Sequence, residues 1–308
     1  SDQEVKAYYI RELAFCGQSP TIAALTPYLE TKGLSSPAVA TLTTIGTEEA
    51  AKAIFTSLKN QSGDSKIELI KAVGTLKYKP AEAFLNEAWK SANAETQLQI
   101  LTSLAQIGGP ASAKLFKQAA EKAGYAADPT AAMVAWFDYA RQLARNGDTK
   151  LSNSLATAAL KKCTKKEQLH FRSAALEILR ANQGEASTPL LVKEITNTDK
   201  AYRNAVLRIA GKKLSSKESD QWVKVFSKVP AETQAELLFF LAPRQEENIL
   251  SQIILPSLKS GNPAVRQEAI LALAINQKSV AIPTLLDQLK NTGEATDYPV
   301  IEESLLTV

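Results

Sequence analysis

His170 and Ser173 stand three residues apart in Lys166-Glu167-Gln168-Leu169-His170-Phe171-Arg172-Ser173. On a helix such a pair shares a face, which sets a base beside a hydroxyl nucleophile. Acyl transfer also needs an acid to orient the imidazole and two donors for the oxyanion. Neither is visible, and Ser173 falls inside a helical pattern rather than on a sharp strand-to-helix turn. The reading left for His170 is an ordinary, partly buried histidine. Cys163 lies between Lys161-Lys162 and Lys165-Lys166. Neighbouring cations lower a thiol pKa and raise its reactivity; the alternative is a small residue at a helix end. The other cysteine, Cys16, is too far along a stacked array to reach it, because a disulfide needs Cα atoms within about 7 Å. One histidine and two cysteines cannot make a conventional zinc site. No Walker A, dinucleotide-glycine or HExxH pattern occurs, so no cofactor and no metal are expected. The pairs Glu48-Glu49, Glu246-Glu247 and Glu302-Glu303 point about 100° apart on a helix and share no site. The first two are first-turn acids that complement the helix dipole.

The lysine run is the strongest candidate for partner binding. Lys161, Lys162, Lys165, Lys166 and Arg172, with Lys212 and Lys213 at a similar helix-end position further on, would line one edge and meet phosphates. Against that stands a plainer reading, cations at helix C-termini that favour the dipole. Nucleic-acid stacking would also want exposed rings, and Trp136, Tyr139, Phe171 and Tyr202 are the candidates nearby. Their helical spacing places most of them in a core. Trp89, Trp136 and Trp222 occur singly, and core packing is the default for each.

What would hold these residues is a run of helices. Alanine and leucine supply 84 of 308 residues, glycine only 13, and aromatics are few. Apolar residues recur at three and four spacing over 11–17 residues, then a Gly, Pro, Asn or Asp interrupts. The first helix runs 3–16. Pairs follow at 20–31 with 36–46, 48–60 with 64–78, 80–92 with 94–107, 110–123 with 129–146 and 149–162 with 165–182. They continue at 186–197 with 199–212, 216–228 with 230–241 and 245–259 with 263–275. A helix at 279–290 and a partial one at 297–306 complete the chain. The second helices begin about every 32 residues. A fixed period of that size in an all-helical chain predicts an α-solenoid, in which stacked pairs share one core. Ser36-Pro37, Asp128-Pro129 and Asn262-Pro263 read as a capping residue followed by proline at the first helical position. Gly17, Gly46, Gly108 and Gly184 fall where left-handed C-caps belong. No run of about 18 consecutive apolar residues exists, so no membrane insertion is expected.

Ile254-Leu255-Pro256-Ser257-Leu258, then Asn262-Pro263-Ala264-Val265-Arg266, then Ala269, Leu271 and Leu273, resembles a HEAT repeat. Weaker copies run from Leu25-Thr26-Pro27-Tyr28-Leu29 to Pro37-Ala38-Val39, and from Thr188-Pro189-Leu190-Leu191 to Asp199-Lys200-Ala201-Tyr202-Arg203. Ile282-Pro283-Thr284-Leu285-Leu286 opens another. The units around 94–107 and 230–241 lack the Asp–Arg pair. The tetratricopeptide period is similar, but its Trp, Leu-Gly and Tyr do not recur here. The resemblance implies an all-α, HEAT/armadillo-like solenoid of about eight to nine stacked antiparallel helix pairs in a right-handed superhelix, covering 1–308 as one repeat domain. It also implies that Arg203 and Arg266 bond within or between repeats, that second helices line the concave face, and that partners are proteins or, less commonly, nucleic acids. Some large secreted bacterial proteins join such repeats to a 3-keto-disaccharide hydrolase domain, and the Ala/Thr/Lys/Gln-rich look is shared.

Function is therefore expected to be non-catalytic: a scaffold that binds a protein or peptide through its concave face or edge. Two alternatives stand beside it. One is an accessory repeat domain of an exported, multidomain, carbohydrate-active enzyme. It is favoured by a start within a half-repeat and by Ser304-Leu305-Leu306-Thr307-Val308, a poor polar cap unless it docks as a short helix. The other is a nucleic-acid-binding solenoid, since residues 151–228 carry 15 Lys/Arg against 7 Asp/Glu, although residues 229–308 carry 5 against 10 and the whole chain is only +4. Sparse Cys and Met lean towards a periplasmic or secreted location.

Overall fold

Helices joined by short 3-10 turns make up the computed structural model, which describes residues 2–15, 17–62, 64–211 and 214–308. No strand occurs among the described residues, and the protein is all-α. The chain divides into two compact units, Ser1–Ile178 and Leu179–Val308. In the first are α1 (Asp2–Glu12), α2 (Ser19–Leu25), α3 (Ser35–Ile45), α4 (Glu48–Leu58), α5 (Asp64–Thr75) and α6 (Glu82–Ala88). It continues with α7 (Ala94–Ile107), α8 (Ala113–Lys122), α9 (Ala132–Arg145), α10 (Thr149–Lys162) and most of α11 (Leu169–Gln183). In the second are α12 (Thr188–Glu194), α13 (Lys200–Ala210), α14 (Ser216–Phe226), α15 (Ala231–Leu241), α16 (Glu247–Ile249), α17 (Leu255–Ser257), α18 (Pro263–Gln277), α19 (Ile282–Asn291) and α20 (Tyr298–Thr307).

Local chemistry sets most boundaries. The Thr47 hydroxyl accepts from Ala50 N, Asn93 from Thr96 N, Asp148 from Leu151 N and Asp199 from Tyr202 N, each at a helix start. Ser215 and Glu218 form a reciprocal capping box on α14. Asn262 caps α18 as its Asn-Pro pair predicts, accepting from Ala264 N and Val265 N. Gly46 and Gly108 close α3 and α7 in the left-handed conformation, where a Cβ would be strained.

Three expected boundaries are corrected. Asp128-Pro129 does not start α9. The Asp128 carboxylate instead folds onto Thr130 N, Thr130 Oγ1 and Ala132 N, and the helix begins after Ala131, held at φ +49°. Ser36 is already inside α3, whose first residue is Ser35, and its hydroxyl donates to Glu68 Oε1 at 3.1 Å. Gly17 does not have a positive φ; it is confined because a Cβ there would stand 2.3 Å from Ile45 Cδ1. The helix containing Pro256 is also less regular than its periodicity suggests: α16 and α17 flank a π turn, Leu250–Ile254. Proline lacks the N–H that an α-helical turn would use at this point.

In the first unit α1 packs on α3, α3 on α5, α5 on α7 and α7 on α9. In the second, α13 packs on α15, α15 on α18 and α18 on α20. α5 and α7 approach closely, since a Cβ on Gly74 would come within 2.6 Å of Ser103 Cα. Ser103 donates from there to Ile70 O at 2.8 Å, and Thr41 does the same to Ile10 O at 2.9 Å. These buried hydroxyls give adjacent helices a polar tie in an apolar interface. The run Pro263–Asn291 has the length and composition to cross a bilayer, with mean hydropathy 1.5 in its most apolar stretch. It is two helices, however. Lys278 at φ +52° and the 3-10 turn Lys278–Ala281 break it, and Ile270, Leu273 and Leu285 are buried within the protein.

Candidate functional site

The side chains picked out for chemistry are dispersed to other tasks. His170 is exposed, which corrects the expectation of a partly buried ring; it lies against Phe171, with centroids 3.9 Å apart. Ser173 donates to Leu169 O at 3.2 Å, one turn back along its own helix. Cys163 is buried, and burial pushes its thiol pKa up despite Arg172 nearby, so the reactive-thiolate reading fails. Cys16 lies outside the described residues. Among the described residues no three His, Cys, Asp or Glu side chains gather as a metal site would require.

The lysine edge separates into two kinds of residue. Lys161 and Lys162 close α10, Lys165 follows in the loop and Lys166 opens the next 3-10 turn; all four are exposed. Lys162 Nζ stands 5.9 Å from the centroid of Tyr125. The Tyr125 loop is tied to this edge by Gln168, which donates to Gly124 O and Tyr125 O. Arg172 does not belong with them. Its guanidinium turns inward and donates to Leu160 O at 2.6 Å and Cys163 O at 3.1 Å. Lys212 and Lys213 lie outside the described residues. Trp136, Tyr139, Phe171 and Tyr202 are all buried, so none offers a face for a base. Trp222 is buried too, while Trp89 is half-buried beneath Lys122 Nζ.

Arg172 fills a position that recurs. Arg203, on α13, donates to Asn197 O and Thr198 O just before its helix, and Arg266, on α18, donates to Ser260 O. Two helices without this arginine use glutamine: Gln97 donates to Trp89 O and Gln234 to Val229 O. The offset from the cap residue, four in Asn93/Gln97 as in Asp199/Arg203 and Asn262/Arg266, could have revealed this. Both arginines of the second unit that fill this position also bond an acid 31–33 residues further along the chain. Arg203, 2% exposed, makes a two-point contact with Glu236, both distances 2.7 Å. Arg266 pairs with buried Asp297. Thr188 and Arg180 converge on Glu218, 2.6 Å from each. Burial raises the Glu218 pKa, but these bonds and Ser215 N outweigh it and hold the carboxyl below its usual range.

One concavity on the second helices of the first unit has no such internal use. It measures ≈ 250 Å³ and lies between α7 and α9. Ala105, Ala131 and Ala135 form its floor, because small side chains leave space between adjacent helices. Val134 stands 57% exposed at its margin. Arg141 pairs with Asp138 at 3.1 Å and comes within 3.9 Å of Glu177. Gln106 and Arg145 also line the groove and are exposed, with no side-chain hydrogen bond or ion pair among the described residues. These positions were not singled out from the sequence. Their signal is faint, since they are the off-core positions of two amphipathic helices.

Comparison with protein-family models gives no match, and comparison with curated proteins gives none either.

Proposed function

We propose that this chain is a HEAT-like α-solenoid that acts as a non-catalytic scaffold, binding a protein or peptide on the face of its second helices. The observation that supports this reading most directly is the sequence distance between bonded partners. Thr188 and Glu218 are 30 residues apart, Arg266 and Asp297 31, Arg203 and Glu236 33, and Asn276 and Ala242 O 34. These separations match one repeat of about 32 residues, the spacing at which stacked repeats would be bonded to one another. The buried polar side chains named above are engaged in that stacking. The groove between α7 and α9 is left with unpaired donors on a second-helix face.

The test is a photo-crosslinking amino acid placed at Thr102, on the groove, or at Lys117, on the exposed side of α8. A discrete adduct in source cells from Thr102 and not from Lys117 supports the scaffold reading. Adducts only from Lys117, or saturable turnover of a substrate by the chain alone, count against it.

A second reading is a polyanion-binding edge, favoured by the four exposed lysines around Cys163. Its test is Lys161→Glu, Lys162→Glu, Lys165→Glu and Lys166→Glu together, with duplex and single-stranded DNA at low salt as probes. Unchanged binding, or none in the parent protein, removes it.

A further inference from the structure

Resting on the scaffold reading, we infer that the groove between α7 and α9 receives an extended acidic peptide segment. A carboxylate side chain meets Arg145, and a neighbouring aliphatic side chain lies against Val134 and Ala135.

The chemistry of the lining gives the sign of the ligand. Asp138 is the one carboxylate in the lining, and Arg141 already faces it at 3.1 Å. Arg141 is further held by Glu177. The groups left over are the Arg145 guanidinium and the Gln106 amide, exposed at the C-terminal ends of α9 and α7. A guanidinium takes a carboxylate through two parallel N–H···O bonds, and an amide N–H adds a third donor. The alanine floor and Val134 supply an apolar strip beside that charge.

Size and surroundings choose among the classes of anion. Drug-sized ligands occupy about 300–1,000 Å³. A volume of ≈ 250 Å³ fits one or two side chains of a chain passing across the groove. A nucleic acid fits poorly, because one free guanidinium meets too few of its phosphates. No aromatic side chain lines the groove to stack a base.

The test uses the whole chain immobilised against a random twelve-residue peptide library. Enriched peptides are then synthesised with a fluorescent label, and their affinity is measured for the parent protein and for Arg145→Glu, Gln106→Ala and Lys161→Glu. The expected peptides carry Asp or Glu within two residues of Val, Leu or Ile. Arg145→Glu should weaken them by about tenfold or more, Gln106→Ala less, and Lys161→Glu by less than twofold. Arg145 is exposed, so its reversal leaves the core intact; equal melting temperatures verify that. Enriched peptides whose binding ignores Arg145 but fails with Val134→Asp or Phe239→Asp overturn this inference and leave the scaffold reading standing. A library that yields no peptide above background counts against both.

Discussion

At the scale of single residues, cations with the same charge do different work. Arg172 is bonded to two part-buried backbone carbonyls, whereas Lys165, seven residues earlier, is exposed. Arg172→Ala should therefore cost about 2 kcal/mol, the range of a charged hydrogen bond lost from a partly buried acceptor. Lys165→Ala should stay within about 0.5 kcal/mol. Urea unfolding of the two variants distinguishes them, and equal effects would restore Arg172 to the surface set. Glu218 makes the pH prediction. Its folded pKa lies below the unfolded value, so it contributes stability that is present above the ordinary carboxylate range. That contribution is lost as pH falls through the depressed value. Glu218→Gln should lower stability at pH 7 by about 3 kcal/mol, since it leaves half-buried Arg180 and buried Thr188 facing a weaker acceptor. The gap from the parent should close as pH falls through the depressed value. Glu268 has the opposite sign. Burial alone raises its pKa, so Glu268→Gln should stabilise the protein above the carboxylate range and have little effect below it. Thermal melts at pH 3 and pH 7 check both variants.

At the scale of elements, backbone approach and backbone strain give two further expectations. Gly74 lets α5 lie against α7, and an added methyl would overlap the Ser103 backbone, which cannot swing aside as a long side chain could. Gly74→Ala gains helix propensity but should still destabilise by about 1–3 kcal/mol through overpacking. Ala131 is the converse case. It enters α9 from the left-handed region, a conformation that a Cβ disfavours by about 1–2 kcal/mol. Ala131→Gly should raise the melting temperature, and a fall would mean that the Ala131 methyl, on the floor of the groove, packs more strongly than it strains. The sequence showed these elements at different levels of detail. Helix existence and order followed from the three–four spacing. The α9 start did not, because Asp128 prefers the amides two and four residues on to the cap that its Pro129 neighbour advertises.

At the scale of the whole molecule, the repeat organisation we propose predicts that stability is transmitted from neighbour to neighbour. Hydrogen exchange should show this. In Glu218→Gln, added exchange should appear in α12, α13 and α14, while protection of α3, α5 and α7 stays at the parent level. Loss of protection along the entire chain would mean a single cooperative core, against the repeat organisation we propose.

The sequence by itself determined that the chain is helical and where nearly every helix lies. Those properties follow from local periodicity, caps and glycines, which act within a few residues of themselves. The resemblance to HEAT repeats, rather than local pattern, led us to expect that Arg203 and Arg266 bond inside the fold, as they do. Only the tertiary structure decided which cations remain on the surface. Arg172 looked equivalent to its lysine neighbours, and Gln97 and Gln234 looked unrelated to any arginine. The direction in which a long side chain turns depends on which carbonyls the fold leaves unsatisfied, and those belong to the loop packed beneath it. The groove between α7 and α9 was illegible for a similar reason. A cavity is a space between helices distant in the sequence, set by where small residues on both happen to face each other.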